Sequence, residues 1–529
     1  MALFDLPTRT NSKANDSKLV KQSKVNKKAT TSIRGGSSLL NKISLAQSEV
    51  EHKLGYLKDK YTLIQNESVL HDYISSCIDS GVIAIDTETT GLDPLLDDIA
   101  GICIYTPSEV GAYIPINHIS HITSMVVPNQ LAQDVILREF GRLIDKHIDV
   151  IMFNAKFDIR VLRHYGLHNI YSTWDCYLAS RLLNENEEHR NLKYLHQKYV
   201  LNGKEDAFTF GELFKGIPFT MIPLQTAVLY AAHDPEITYE LYDYQRKYLR
   251  EDSEREDLRE LYWVFKNIEM PCVEVVADME DNGVLFDFDY QKELSITYHN
   301  MLESKLEAFY DALEPFNDKI VKYKLKHENN KLSDPINISS PTQLAILFYD
   351  ILGYESVDRR NPRGTGVAIL TKLNTPLTNA ILEYRTIDKL IGTYIDKLPN
   401  CVNPNDGRIH CNFNQYGADT GRMSSSDPNL QNIPSHNKDI RKMFIASPHH
   451  VLMSSDFSQQ EPKCLAALCR KQGDSQMYDT FMQGKDLYSE IASKAFNKPY
   501  EECKEFNEDG TTNKQGKERR SRAKSILLG

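Results

Sequence analysis

A chain of 529 residues is too long for one hydrophobic core, so two to four domains are expected. Its 41% hydrophobic and 26% charged content is ordinary for a globular protein, no apolar run approaches the roughly 18 residues of a membrane span, and no signal-peptide pattern is present. These features exclude a membrane-spanning enzyme and point to the cytoplasm, while a net charge of −11 argues against coating by nucleic acid and leaves room for a local basic cleft.

Nine cysteines without a C-x-x-C pair or histidines at ligand spacing fit a reduced compartment and no zinc site, and all nine read as structural or incidental. Residues 1–47 carry Lys13, Lys18, Lys21, Lys24, Lys27, Lys28, Arg34 and Lys42 against Asp5 and Asp16, with few large apolar residues. Such a segment reads as a disordered basic arm, either solvated or touching DNA or a partner.

From Tyr61 onward, short apolar runs alternate with amphipathic stretches. Ile83–Ile85, Ile99–Tyr105, Gly111–Ile116 and Val150–Phe153 read as strands, the middle ones antiparallel because their links are short, and Leu131–His147 reads as a helix. The first strand ends in Asp86-Thr87-Glu88, and period two puts both carboxylates on one face. Alone, such a pair is more often a strand ending in solvated acids, so a metal site requires further carboxylates downstream. Asp158 stands at a strand-to-helix junction in Asn154-Ala-Lys-Phe-Asp158, and Tyr230 and Asp234, four apart, share one helical face.

Asp86-Thr-Glu88, Asn154-x-x-x-Asp158 and Tyr230-x-x-x-Asp234, in this order, resemble the three motifs of the DEDD 3′–5′ exonucleases of the Tyr subtype. The resemblance implies a mixed-sheet, ribonuclease H-like α/β domain in which Asp86, Glu88, Asp158 and Asp234 hold two Mg²⁺ (or Mn²⁺) ions and Tyr230 positions the attacking water. The chemistry is coherent, since two metals about 4 Å apart serve phosphodiester hydrolysis. His233 and Asp175, close to the motifs, are assigned to packing or surface.

Residues 253–403 are mostly helical by pattern. Leu258–Val284 carries apolar residues at three and four spacing up to the turn Asn282-Gly283, and Tyr290–Leu313 continues as a long helix. Lys319–Lys331 interleaves basic and aromatic residues, as a phosphate-tracking segment or a solvated insertion would. Arg408–Gln415 reads as one alternating strand, and Val451–Met453 as an apolar strand delivering Asp456 into a cleft.

The run from Ala418-Asp-Thr-Gly-Arg422 through Gln431-Asn432-Ile-Pro434 to Asp456-Phe-Ser-Gln-Gln-Glu461 is similar to family A DNA polymerases, the bacterial DNA polymerase I type and its phage relatives. The resemblance implies that Asp456 is a catalytic metal ligand, that Glu461 helps exclude a ribose 2′-hydroxyl, and that Arg422, Gln431 and Asn432 contact primer-template. In Arg519-Arg520-Ser-Arg-Ala-Lys524, resembling a second polymerase motif, Arg520 and Lys524 share a helix face toward where triphosphate oxygens would lie. Lys463 stands where relatives usually carry Arg, and Pro462 before it implies a different helix start. Leu528 stands where many relatives place an aromatic residue.

The expected organisation is a disordered arm (1–47), a 3′–5′ exonuclease domain (48–252), a helical thumb-like region with the start of the palm (253–403), and an incomplete α+β palm with the start of the fingers (404–529). The expected partners are primer-template DNA, single-stranded 3′ ends, dNTP once the site is completed, and a C-terminal polymerase chain or exon, because the sequence stops inside the second motif. Primer extension by the chain alone is not expected. The alternatives are a stand-alone 3′–5′ exonuclease and a non-catalytic DNA-binding remnant of a split polymerase.

Overall fold

The computed structural model describes residues 36–204, 207–328, 331–418, 420–435, 437–473 and 476–528. The described residues form two compact units, the first ending at Ser447 and the second beginning at Pro448.

The first unit opens on a helix, Gly36–Leu54, which corrects the expectation of a disordered arm over 36–47. Ile43, Ala46, Val50 and Leu54 recur at three and four spacing, and all four are buried in one apolar cluster with Phe214, Val228 and Ala231. That stripe sustains a helix despite the polar, lysine-bearing composition around it. Residues 1–35 of the expected arm lie outside the described residues.

A six-stranded mixed sheet follows. Its strands are β1 (Thr62–Leu63), β2 (Val82–Thr89), β3 (Ile99–Tyr105), β4 (Ala112–Pro115), β5 (Asp149–Met152) and β6 (Trp174–Asp175), in spatial order β1-β4-β3-β2-β5-β6. β3 lies antiparallel to both β2 and β4, as their short links require, whereas β5 pairs parallel to β2 after the crossover helix Gln133–Lys146. Ile83, Ile85, Ile102 and Ile104 bury in one cluster with Phe140 and Leu162, while Cys103 and Tyr113 join Phe214 and Tyr230 in another.

Helices dominate from residue 256. The expected helix over 258–284 comprises Glu256–Val264, a π-helical segment Phe265–Glu269 and Met270–Asn282, and it ends at Gly283, whose φ is 51°. The long helix Phe288–Leu313 and the helices Asn317–Lys326 and Pro376–Leu390 bury Phe309, Leu313, Ile320, Phe348 and Ile381 together.

β7 (Val284–Phe286), β8 (Arg408–Ile409), β9 (Asn412–Asn414), β10 (Ser424–Ser426) and β11 (Phe444–Ile445) make two small antiparallel sheets, β11-β7-β8 and β10-β9. The single strand expected over 408–415 is broken between β8 and β9, where the His410 ring bonds the Glu280 carbonyl at 2.7 Å and the Asp406 carboxylate at 2.9 Å. Because β8 and β11 both pair with β7, the expected boundary at 403/404 falls within one packed unit.

In the second unit the helices Gln460–Lys471, Gln476–Met482, Leu487–Phe496 and Lys514–Leu528 accompany a small core of Ala492, Cys503 and Ala523. Val451–Met453 is not a strand. Its side chains are 87%, 64% and 88% exposed, and no strand pairs with it among the described residues, so nothing satisfies an extended ladder there. No helix among the described residues is long and apolar enough to cross a membrane.

Candidate active site

β2 carries the first two acids. Asp86 and Glu88 are half-buried on one face of the strand while Thr87 is buried on the other, as period two demands. Asp86 lies opposite Cys103 of β3 in register, and one carboxylate oxygen of Asp86, one of Glu88 and the Cys103 sulfur all fall within 4.8 Å of one another. Cys103, fully buried in the apolar cluster as one of the structural or incidental cysteines expected, also borders the two acids, a neighbourhood that only the cross-strand register reveals.

The third acid arrives on the helix Ala155–Tyr165. One Asp158 oxygen accepts from the Thr87 backbone N–H at 3.0 Å and from the Thr87 hydroxyl at 2.6 Å, so the residue between the two motif acids anchors the third. Asp175 fixes where that helix begins. Its carboxylate accepts from the N–H groups of Asn154 and Ala155, each at 2.9 Å, and caps its own helix at Tyr177 N–H, 2.8 Å away. Where packing or surface was expected for Asp175, the carboxylate is buried and caps two helix starts. His233 likewise packs inward, its ring 2.6 Å from the Tyr61 hydroxyl.

Tyr230 lies in the last turn of the helix Leu224–Ala231 and Asp234 in the first turn of the helix His233–Gln245, so the single helical face expected for the pair is divided between two helices that meet at Ala232. Both side chains are buried, Tyr230 among Phe210, Phe214 and Phe219. Each oxygen of Asp234 lies 2.5 Å from the ammonium of Lys193, a residue that sequence reasoning missed because no motif marks it.

The acids lie close enough to perturb one another. Burial, and then the neighbouring carboxyls of Asp158, Asp234 and Glu88, push the Asp86 carboxyl well above its usual range, with Lys193 pulling the other way. Glu88 is raised in the same manner by burial, Asp234 and Asp158. Burial lifts Asp158 to about 7 although both Thr87 bonds hold it down. Tyr230 is raised by burial and by Asp234, Glu88 and Asp86, so it stays a neutral phenol. Clustered oxygen donors whose charges repel suit hard divalent cations, whose binding removes both the repulsion and the bound protons.

The remaining candidates are divided between the two units. In the first, Arg422 is exposed, and Gln431 and Asn432 are exposed on the turn Leu430–Asn432, whose N–H groups are held by the Asn429 side chain. In the second, Asp456 is exposed ahead of the helix Gln460–Lys471, which carries Glu461 in its first turn and buries Pro462. Arg520 and Lys524 share one face of the helix Lys514–Leu528, both over the ring of Tyr488. Arg520 also forks onto Asp486 with two contacts of 3.0 Å, and Asp486 accepts from Gln459 at 2.7 Å, which ties the segment after Asp456 to the Arg520 helix.

A 3′–5′ exonuclease domain joined to polymerase sequence is the class that this arrangement defines: residues 61–250 match the family model 3'-5' exonuclease, and residues 307–529 match the model DNA polymerase family A. The chain is similar to DNA polymerase I of Chloroflexus aurantiacus, 30% identical over 456 residues that make up 82% of this chain and 44% of the relative. It is 34% identical to DNA polymerase I of Synechocystis over 423 residues, 78% of this chain and 39% of the relative. The chain thus spans less than half the length of these relatives. Its fold is similar to that of the POL domain of Pol1 from M. smegmatis, solved in complex with DNA primer-template and dNTP, with a TM-score of 0.66 and 23% identity over 89% of this chain and 70% of that one. The chain belongs to DNA polymerase family A and carries a 3′–5′ exonuclease domain. Domains of these two kinds depend on divalent metal ions.

Proposed function

We propose that the chain removes nucleotides from the 3′ end of DNA, as the editing activity of a DNA polymerase acting in replication. The observation that carries this reading is the convergence of acids from β2, the helix Ala155–Tyr165 and the helix His233–Gln245 on one cluster. Asp86, Glu88, Asp158 and Asp234 would hold two Mg²⁺ or Mn²⁺ ions, which supply an activated water and stabilise charge on the leaving 3′ oxygen. Tyr230, neutral and wedged among three phenylalanines, presents its hydroxyl at a fixed place to orient that water. Thr87 holds Asp158 against β2, so the acids keep their spacing when substrate arrives.

For the polymerase region we propose Asp456 as a metal ligand, Glu461 as a sugar discriminator, Arg422, Gln431 and Asn432 as primer-template contacts, and Arg520 with Lys524 as triphosphate contacts. The shared face of Arg520 and Lys524 supports the last assignment. With DNA as substrate, the compartment proposed is the cytoplasm, that of a host cell if the gene belongs to a phage.

Incubation of the purified chain with 5′-labelled single-stranded DNA and Mg²⁺ or Mn²⁺ should give a ladder that shortens from the 3′ end. The Asp86→Ala, Glu88→Ala double variant should be slower by more than about 100-fold, the loss that even indirect disturbance of a metal site can cause. Equal rates for the two proteins would overturn the reading.

A further inference from the structure

Lys193 stands inside the acid cluster. It belongs to the helix Leu192–Tyr199, which Asn191 caps and which buries Leu192, Leu195 and His196. Its ammonium touches both oxygens of Asp234 at 2.5 Å and lies 4.8 Å from the centre of the Tyr230 ring, with the two side chains of the ion pair only 13% and 11% exposed. The lysine thus contacts the two residues of the third exonuclease motif at once, and it does so with a charge of the same sign as a metal ion.

Both oxygens of Asp234 are engaged by this ammonium. A divalent cation bound at either oxygen would bring like charge against the ammonium in a nearly buried site, so metal binding and the Lys193 contact oppose each other. An ammonium leaving a carboxylate in a site of this polarity requires a new anionic partner, and a four-carbon stem with freely turning bonds lets it reach one nearby. A DNA phosphodiester held in the same site is such a partner.

We propose that Lys193 is an exchangeable counter-ion of the exonuclease site: it holds Asp234 while no metal is bound, is displaced by metal, and then contacts a phosphate of the bound DNA strand. This rests on the nuclease reading above and adds a positioning residue to it. The exchange keeps the cluster compensated in both states, without metal through the lysine and with metal through the ion.

The test uses the full chain and its Lys193→Met and Lys193→Gln variants, with Mn²⁺ binding followed by calorimetry and melting recorded in EDTA and in Mn²⁺. Both variants should bind Mn²⁺ more tightly, roughly tenfold, the scale on which groups beside metal ligands tune affinity. Their melting temperature should fall below that of the wild type in EDTA and recover in Mn²⁺, whereas a purely structural lysine would cost the same in both. In Ca²⁺, binding of a single-stranded oligothymidylate should weaken several-fold in the variants and regain strength in Lys193→Arg, with no difference among the proteins in EDTA. Unchanged or weaker Mn²⁺ affinity in both variants overturns the exchange, and unchanged oligonucleotide binding in Ca²⁺ overturns the phosphate contact. Failure of the wild type itself to bind Mn²⁺, with an Asp234→Ala variant behaving identically, would instead remove the nuclease reading on which the proposal stands.

Discussion

Carboxyl groups crowded out of water hold on to protons, and the cluster of Asp86, Glu88 and Asp158 shows this through the upward shift of all three. His118 shows the converse for a base. It is fully buried, its ring 2.7 Å from the Tyr113 hydroxyl, and burial pushes its pKa down from 6.5 to about 4. A depressed folded pKa means that the unfolded chain binds the proton first. The stability contributed by neutral His118 is therefore complete above pH 6.5 and is lost as pH falls through about 4. The difference amounts to about 3 kcal/mol. Urea melts of the wild type and of His118→Gln between pH 7 and pH 4 should show a loss smaller by about that amount in the variant; parallel losses would refute the assignment.

At the scale of elements, one close approach ties the sheet edge to the third motif. A Cβ on Gly111, just before β4, would stand 2.3 Å from the carbonyl oxygen of Ala232, between Tyr230 and Asp234. Gly111→Ala should cost about 1–3 kcal/mol through this overpacking. It should also slow the exonuclease more than an equally destabilising change elsewhere, because the backbone that must yield carries Tyr230 and Asp234. Paired measurements of melting temperature and 3′ digestion on Gly111→Ala and on a distant core truncation of equal stability loss, such as one at Phe309, would show it.

The elements also mark what the sequence made legible. β2, β3, β4 and β5 and the acids on them could be read because apolar runs and period-two alternation are local signals. Cys103 and Lys193 could not, since each joins the cluster through a partner distant in the chain: Asp86 across a strand pair, Asp234 across 41 residues. The helix Gly36–Leu54 was hidden by composition, its four-residue apolar stripe outweighed by lysines and serines. The strand expected at Val451–Met453 failed for the opposite reason, as apolar character alone does not supply a partner for the ladder.

Across the first unit, the nuclease helix and the helix Met270–Asn282 are joined by a row of ion pairs. Lys156 and Arg160 reach Glu280 at 2.5 and 2.7 Å, Arg160 also reaches Asp281 at 2.5 Å, and Arg163 contacts Asp278 at 2.9 Å as well as Glu274. Glu280 has no exposed side-chain surface and Arg160 only 5%. Glu280→Ala would leave the buried guanidinium with Asp281 as its remaining ion-pair partner and should lower stability by about 3 kcal/mol, the lower end for breaking a buried pair, measurable by urea denaturation. Glu280→Gln, which keeps hydrogen-bonding atoms in place, should cost less, and equal losses for the two would show that charge is not what matters there.

That row of ion pairs has a mechanical corollary. Lys156, Arg160 and Arg163 flank Asp158 on a single helix, and their counterparts sit on the helix that runs directly into β7, the middle strand of a separate three-stranded sheet. The catalytic-side helix is thus bolted along its length to a second scaffold. Of these contacts the Lys156 and Arg160 pairs with Glu280 are the desolvated ones, so the placement of the helix bearing Asp158 is set in part from outside the six-stranded sheet.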